Sequence, residues 1–575
     1  MQSSGRQNKS EATYAGAGMI LATAVMVFVA VAPTLSWPQF SGDSEDLVVQ
    51  TVLEMRNGGP WWVPRLENQP RIRKPPLTVW LRAAAARAST IQQLHSTGIQ
   101  REAAYANLAW EMRWPSLLAG CLMLIFVGLT GQILGPGRLG PAATLVCGSM
   151  LLFLRFTRSA TTDIDLALWV SAANFFLALA LVRGRRWTGC VGAGAALGLA
   201  LMTKGPVGLL FSVPPVALFA FYARRGLRSA PSGHAAPRRG LPGLVGGGWG
   251  WPLLAGLGLM LVIALPWPLS VLFLHNTSLH AWSNEFTNEG AGVELGDPWT
   301  AYLSLFPMLL PWVVFFIAGI ILAWAKRRRR LGLALFWVVV SIVVMSCFPT
   351  RKTRYLLPMC GPMAILAAYA ALAASRGRVS RWRTSRIVVI AHWATLAILA
   401  VGLPIAAAKF LVNPDAQPWV SWPAAGITLA LALPALGIAI FLQRRRVLHA
   451  LIAAAVLMLL LNTLFYRGWS GSLEGQSEMK SLADAILLLY PQAHVFYYDP
   501  PPGGKPVTLD LDIYLDHPVT VVSAPPALAG EGTKVVVMLR RKNAPEPALP
   551  GYDLAFQLIT PKHHYQWYVL ASGKS

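Results

Sequence analysis

The sequence predicts an all-α polytopic membrane protein of about 13 spans with a small C-terminal α/β soluble domain, on three observations. The chain of 575 residues is 55% hydrophobic and only 13% charged, with a mean hydropathy of +0.49, whereas a soluble domain carries roughly a quarter of its residues charged. Apolar runs of about 20 residues recur, the length that crosses a hydrocarbon core. Arginine clusters follow alternate runs, the positive-inside pattern of cytoplasmic loops. That placement accounts for the formal charge of +24 with no nucleic-acid partner and with membrane lipids as the surroundings.

With the N-terminus cytoplasmic, the first span runs from about Tyr14 to Ala32, behind Arg6 and Lys9. It is long for the apolar core of a signal peptide and is read as retained. An outer segment, 33–113, follows. Its amphipathic stretches Leu47–Met55 and Leu77–Ala88 are expected to lie in the membrane interface, with Trp61, Trp62 and Trp80 as anchors. Spans 115–133 and 140–154 flank a turn at Arg138, and the span 164–182 ends at Arg183, Arg185 and Arg186. Two more flank Thr203-Lys204-Gly205-Pro206 and stop at Arg224-Arg225, before a Gly/Pro/Arg-rich linker over 226–250. The span 251–274 opens onto an outer loop, 275–299, with Glu285, Glu289, Glu294 and Asp297. Later spans end at Lys326–Arg330, at Phe348-Pro349, and ahead of the arginines between Arg376 and Arg386; Arg444–Arg446 separates the last two. An odd count places the C-terminus outside.

The chain therefore divides into a transmembrane domain, 1–466, and an extracytoplasmic α/β domain, 467–575. In the latter, Leu482–Tyr490 reads as a helix, and Val495–Tyr498, Val519–Val522, Val535–Leu539 and Trp567–Leu570 read as strands between Pro/Gly turns. Cys121, Cys147, Cys190, Cys347 and Cys360 sit in or beside apolar runs without metal-type spacing, and read as packing residues.

Charged groups on the outer side carry the chemistry. Asp43, Glu45 and Asp46 stand just beyond the first span, and Asp163 and Asp165 begin an apolar helix at the bilayer edge. Ionisable groups are costly there, and a helix N-terminus favours the ionised carboxylate that a general base needs. Lys74 precedes Pro75-Pro76, Lys204 stands at a Gly-Pro break, and Lys352 and Arg354 mark the outer end of a span. Cations outside run against the topological bias, and an anionic ligand is the simplest reason for them. Trp61, Trp62, Trp282 and Tyr355 are candidates for stacking on a sugar.

Four passages then resemble the integral-membrane C-type glycosyltransferases that use polyprenyl-phosphate sugars. They are Glu54–Leu66 with Lys74–Trp80; Arg158–Asp163; Leu199–Pro206; and Lys352–Pro358, in family order. The nearest branch is similar to the lipid A aminoarabinose transferases, with protein O-mannosyltransferases further off. The resemblance implies the C-type glycosyltransferase fold. It implies a catalytic acid in the first outer loop, which falls on Glu45 or Asp46 with Asp43 slightly further off, and a second acid at Asp163. Lys74, Lys204, Lys352 and Arg354 fall on positions that meet the lipid-linked phosphate or its surroundings; Arg158 and Tyr355 lie in the same passages. Where the family commonly has Glu and His as metal ligands, this chain has Arg73 and Phe286, so no cofactor is expected. The implied activity is inverting transfer of a monosaccharide to a lipid, glycan or protein acceptor on the periplasmic face of the inner membrane. The alternative is a transporter or flippase of lipid-linked sugars, which would more usually show internal repeats and broken helices at the midplane.

Overall fold

In a computed structural model of the chain, the described residues are 2–37, 43–66, 69–228, 241–244, 248–275, 299–325, 329–348, 351–375, 383–410, 446–470, 478–498, 508–515, 519–526, 532–541, 545–559 and 565–572, with isolated positions between them. The first part comprises α1 (Gln2–Val31), α2 (Asp43–Arg56), a two-stranded ladder of β1 (Arg65–Leu66) and β2 (Gln69–Pro70), α3 (Leu77–Ala85), α4 (Ala88–Leu94) and the long α5 (Gly98–Leu134). It continues through α6 (Leu139–Gly148), α7 (Leu151–Phe156), α8 (Thr162–Arg183), α9 (Arg186–Lys204), α10 (Val207–Leu210), α11 (Val213–Arg228), α12 (Gly250–Ala264) and α13 (Pro266–Leu274). The helical part closes with α14 (Leu305–Met308), α15 (Val313–Ala325), α16 (Arg329–Ser346), a 3-10 turn (Thr353–Met359), α17 (Cys360–Ser375), α18 (Arg383–Phe410) and α19 (Val447–Ser470).

Among the described residues six helices are long and apolar enough to cross a membrane, and eight if two bent pairs each count as one span. Three shorter apolar helices accompany them. The fold is thus polytopic and helical, and these described residues do not confirm the expected count of about 13. The expected span 140–154 is split into α6 and α7 by the backbone at Ser149-Met150. There the Leu151 N–H donates to the Leu310 carbonyl (3.2 Å) and the Trp312 indole to the Ser149 hydroxyl (2.9 Å). The stretch 411–445, where a span is expected, falls almost wholly outside the described residues.

At the end of α8, Gly184 takes a left-handed conformation (φ 74°), which lets its N–H cap the Ala180 carbonyl. α9 then returns along α8 and meets α12 so closely that a Cβ on Gly194 would stand 2.0 Å from the Gly256 carbonyl oxygen. Small residues permit that approach where lipid supplies no hydrophobic drive.

α5 is the mechanical link of the molecule. Its 37 residues span about 55 Å at 1.5 Å per residue, well beyond a hydrocarbon core of about 30 Å. From Leu117 onward it buries apolar side chains in the helical bundle; from Ala104 to Met112 it buries them in a second core. That second core is shared with the C-terminal region: α20 (Glu478–Leu489), β3 (His494–Tyr498), α21 (Thr508–Leu515), β4 (Thr520–Val522), β5 (Lys534–Arg541), β6 (Tyr552–Ile559) and β7 (Tyr565–Ser572). The sheet order is β4-β3-β5-β7-β6, with β3 parallel to both neighbours and β7 antiparallel to both of its own. The sequence reading lacks α21 and the edge strand β6, whose alternation of Tyr552, Leu554, Phe556 and Leu558 is the signal for it.

The first loop and the C-terminal region pack as one body. Val48, Val49, Val52 and Leu53 of α2 share a core with Leu482, Ile486, Ile513 and Val535. The Tyr514 hydroxyl donates to the Phe40 carbonyl (3.2 Å), and the Tyr105 hydroxyl to those of Ile513 and Tyr514 (3.1 Å each). The amphipathic faces of α2 and α3, expected to lie in the membrane interface, are therefore buried in protein.

Candidate active site

Where the bundle meets this body, a cavity of about 400 Å³ opens. Its lining carries the charged groups Arg73, Lys74, Asp163 and Lys204 in a largely apolar wall that includes Leu166, Phe211, Leu261 and Met345. Each charged group sits where a helix starts or stops. Asp163 is in the first turn of α8, behind Thr161 in an extended conformation. Lys204 is the last residue of α9, followed by Gly205, whose φ of 67° with ψ of −156° suits glycine alone. Lys74 stands ahead of the Pro75-Pro76 lead into α3.

The Lys204 ammonium donates to Asp163 Oδ1 at 2.5 Å and lies 4.6 Å from the centre of the Tyr355 ring, which also lines the cavity. Arg354 flanks that ring at 5.5 Å and donates to the Ser44 hydroxyl on α2. Trp267 and Trp282 form part of the wall, their indole N–H groups bound to the carbonyls of Trp62 (2.9 Å) and Ile72 (2.8 Å).

Two buried ion pairs frame the turn that carries Asp163. The Arg113 guanidinium donates to both carboxylate oxygens of Glu45 (2.8 and 2.9 Å), and Glu45 also accepts the Ala160 N–H at 2.8 Å. Arg82 binds Asp165 at 2.7 Å, both side chains being essentially unexposed.

The matched stretch 104–235 fits the family model described as dolichyl-phosphate-mannose-protein mannosyltransferase, and it contains Asp163 and Lys204. An undecaprenyl phosphate-alpha-4-amino-4-deoxy-L-arabinose arabinosyl transferase of Proteus mirabilis is 24% identical over 389 residues, 66% of this chain and 64% of that relative. A similar transferase of Pseudomonas fluorescens is 26% identical over 340 residues, 56% of this chain and 54% of its own length. The chain thus spans less than two thirds of these curated relatives. The crystal structure of ArnT from Cupriavidus metallidurans bound to undecaprenyl phosphate shares the fold, at a TM-score of 0.67 and 20% identity over 96% of this chain and 98% of that one. The chain is thus similar in part to polyprenyl-phosphate-dependent sugar transferases and shares the fold of ArnT. In this glycosyltransferase fold the residues singled out from sequence separate into two groups.

Asp163, Lys74, Lys204 and Tyr355 line the cavity, as does Arg73. Glu45 does not, and its surroundings argue against the base role read for it. Burial pushes its carboxyl up, but the Arg113 guanidinium and the Ala160 N–H outweigh that and hold it below its ordinary value of 4.5. An acid so held is a poor proton acceptor and a good anchor. Asp46 is wholly buried and interacts with Arg113 and Tyr514, away from the cavity wall. Arg158 is buried over the Tyr466 ring, with its Nε donating to the Thr34 hydroxyl at 2.9 Å, so it ties the bundle rather than facing the cavity. Lys352 is exposed and outside the lining. Asp43 begins α2, while its side chain, with Glu285 and Phe286, lies outside the described residues.

Arg82 and Arg113 escaped the sequence reading. Arg82 stands between apolar residues of α3, and Arg113 stands where α5 turns apolar, so each is an ionisable residue in a costly setting that calls for a partner. Among the described residues no three His, Cys, Asp or Glu side chains gather as a metal site.

Proposed function

We propose that this protein transfers a monosaccharide from a polyprenyl-phosphate donor to a hydroxyl-bearing lipid, glycan or protein, with inversion at the anomeric carbon. The observation that carries this is the cavity itself: a largely apolar chamber whose lining includes the cations Arg73, Lys74 and Lys204 and one carboxylate, Asp163, bound to Lys204. An isoprenoid chain suits the apolar wall and a phosphodiester the cations. The names of the relatives and of the fold neighbour point to the same donor class.

In the step proposed, the donor phosphate docks against Lys74 and Lys204. Lys204 is shared between phosphate and Asp163, so the donor's arrival draws the ammonium away and frees Asp163 Oδ1. Asp163 accepts the proton of the acceptor hydroxyl as its oxygen attacks the anomeric carbon. The new C–O bond forms, the bond from that carbon to the phosphate oxygen breaks, and the electron pair leaves with the polyprenyl phosphate, whose charge the lysines stabilise. The arginine clusters support a cytoplasmic N-terminus, hence an inner-membrane protein with the cavity and the C-terminal sheet on the periplasmic side.

The test is to incubate purified protein with a panel of polyprenyl-phosphate sugars and follow release of polyprenyl phosphate and labelling of acceptors. Turnover of at least one donor is expected. A folded protein that neither binds undecaprenyl phosphate nor consumes any donor would sink the reading.

A further inference from the structure

The geometry points to Arg82 as a positioning residue for this site, acting with Thr78 and Asp165 to fix the spacing of Lys74 and Asp163, which both line the cavity. The idea rests on the donor reading of the cavity and adds to it a named device. One guanidinium gathers four residues from three helices, α3, α5 and the start of α8. Its Nη1 donates to Asp165 Oδ2 (2.7 Å) and to the Thr78 carbonyl (3.0 Å). Its Nη2 donates to the Ser116 hydroxyl on α5 (2.7 Å) and to the carbonyl of Thr161 (3.2 Å), the residue that starts α8. The Thr78 hydroxyl adds a second tie to Asp165 at 2.9 Å, and Ser116 reaches on to the Ser159 carbonyl at 2.7 Å.

These bonds join the two half-sites at their roots. Lys74 lies four residues before Thr78, with only Pro75, Pro76 and Leu77 between them, and two of those are prolines with restricted backbones. Asp163 lies two residues before Asp165 on the same helical turn. The Thr78–Asp165 and Arg82–Asp165 contacts therefore set α3 against α8 close to both functional groups. None of the clamp residues lines the cavity. A misplacement of about 1 Å between reacting groups costs up to about 100-fold, so a short rigid tie at this point has a functional consequence that a tie elsewhere lacks.

The experiment compares Kd for undecaprenyl phosphate, measured on detergent-purified full-length protein, with thermal stability in the same samples. Arg82→Lys keeps the charge and loses the fork; it should weaken binding by about tenfold. Thr78→Val, an isosteric change chosen because it is mild enough to fold, should weaken binding several-fold, and Thr78→Ser should restore it by keeping the hydroxyl. Glu111→Gln is the structural control. Glu111 holds the start of α4 on α5 through the Arg87 N–H (3.0 Å) and the Thr90 hydroxyl (2.7 Å), away from the cavity, so its loss should lower stability without moving Kd. If wild type binds and Arg82→Lys and Thr78→Val bind within twofold of it, Arg82 is a purely structural residue and the inference fails. If Glu111→Gln shifts Kd as much as they do, it fails equally. Absence of binding by wild type overturns the donor reading first, and this inference with it.

Discussion

Asp163 and Asp165 belong to one short run, Thr162-Asp163-Ile164-Asp165, and the sequence presents them as equals. Two positions apart on a helix they point about 200° from each other, and the two sides of α8 differ completely. On the cavity side, Asp163 meets a single ammonium that keeps some exposure and can be shared with an incoming anion. On the core side, Asp165 is enclosed by Arg82 and the Thr78 hydroxyl, with nothing left to exchange. The comparison teaches that a carboxylate's partner matters less than whether the partner can leave. In the step proposed, the pair at the cavity performs the chemistry, whereas the saturated pair in the core holds geometry.

The largest expected effect falls on the cavity side. Asp163→Asn should reduce sugar transfer by about 10²–10⁴-fold while the protein purifies and melts normally, because the change removes the base and little packing. Wild-type transfer rates in that variant would remove Asp163 from the role of base. On the core side the effect should appear as stability. Asp165→Ala leaves Arg82 buried without its counter-ion, and should cost about 3–5 kcal/mol, read as a lowered melting temperature. A variant that melts like wild type would show that the two aspartates do not differ in kind.

The other buried pair sharpens the contrast through pH. Because the Glu45 carboxyl is held below its ordinary 4.5, its contribution to stability is complete above that pH and is lost as pH falls through the lowered value. Glu45→Gln should therefore be less stable than wild type at neutral pH, with the difference narrowing in acid. A difference that stays constant down to about pH 3 would contradict the assignment of Glu45 as an ionised anchor. The smallest effect belongs to Lys352, exposed and off the cavity wall. Lys352→Ala should alter undecaprenyl phosphate affinity by less than about twofold, against a loss on the order of 10-fold or more for Lys204→Ala.

Much of the molecule is legible in the chain. Helical hydrophobic runs announce the bundle because each span must satisfy its own backbone in lipid, whatever its neighbours. The passages around Lys74, Asp163 and Lys204 stand out because charge at an apolar helix end is costly and needs a reason. Less legible is the distribution of roles among near neighbours. Glu45 and Asp163 carry the same chemistry in sequence, and only the approach of Arg113, 68 residues from Glu45, makes the first an anchor.

The order of amino acids alone supplies the material: apolar helices, the loops rich in arginine, and the acids and lysines set at helix ends. These follow from local composition and periodicity, which one stretch of chain contains in full. Tertiary structure decided the use of that material. It merged the first loop and the C-terminal sheet into one core, turned Asp163 toward a cavity and Asp165 away from it, and paired Arg82 and Arg113 with acids far along the chain. Such choices depend on which distant surfaces meet, since the worth of a buried charge is set by the partner that arrives beside it.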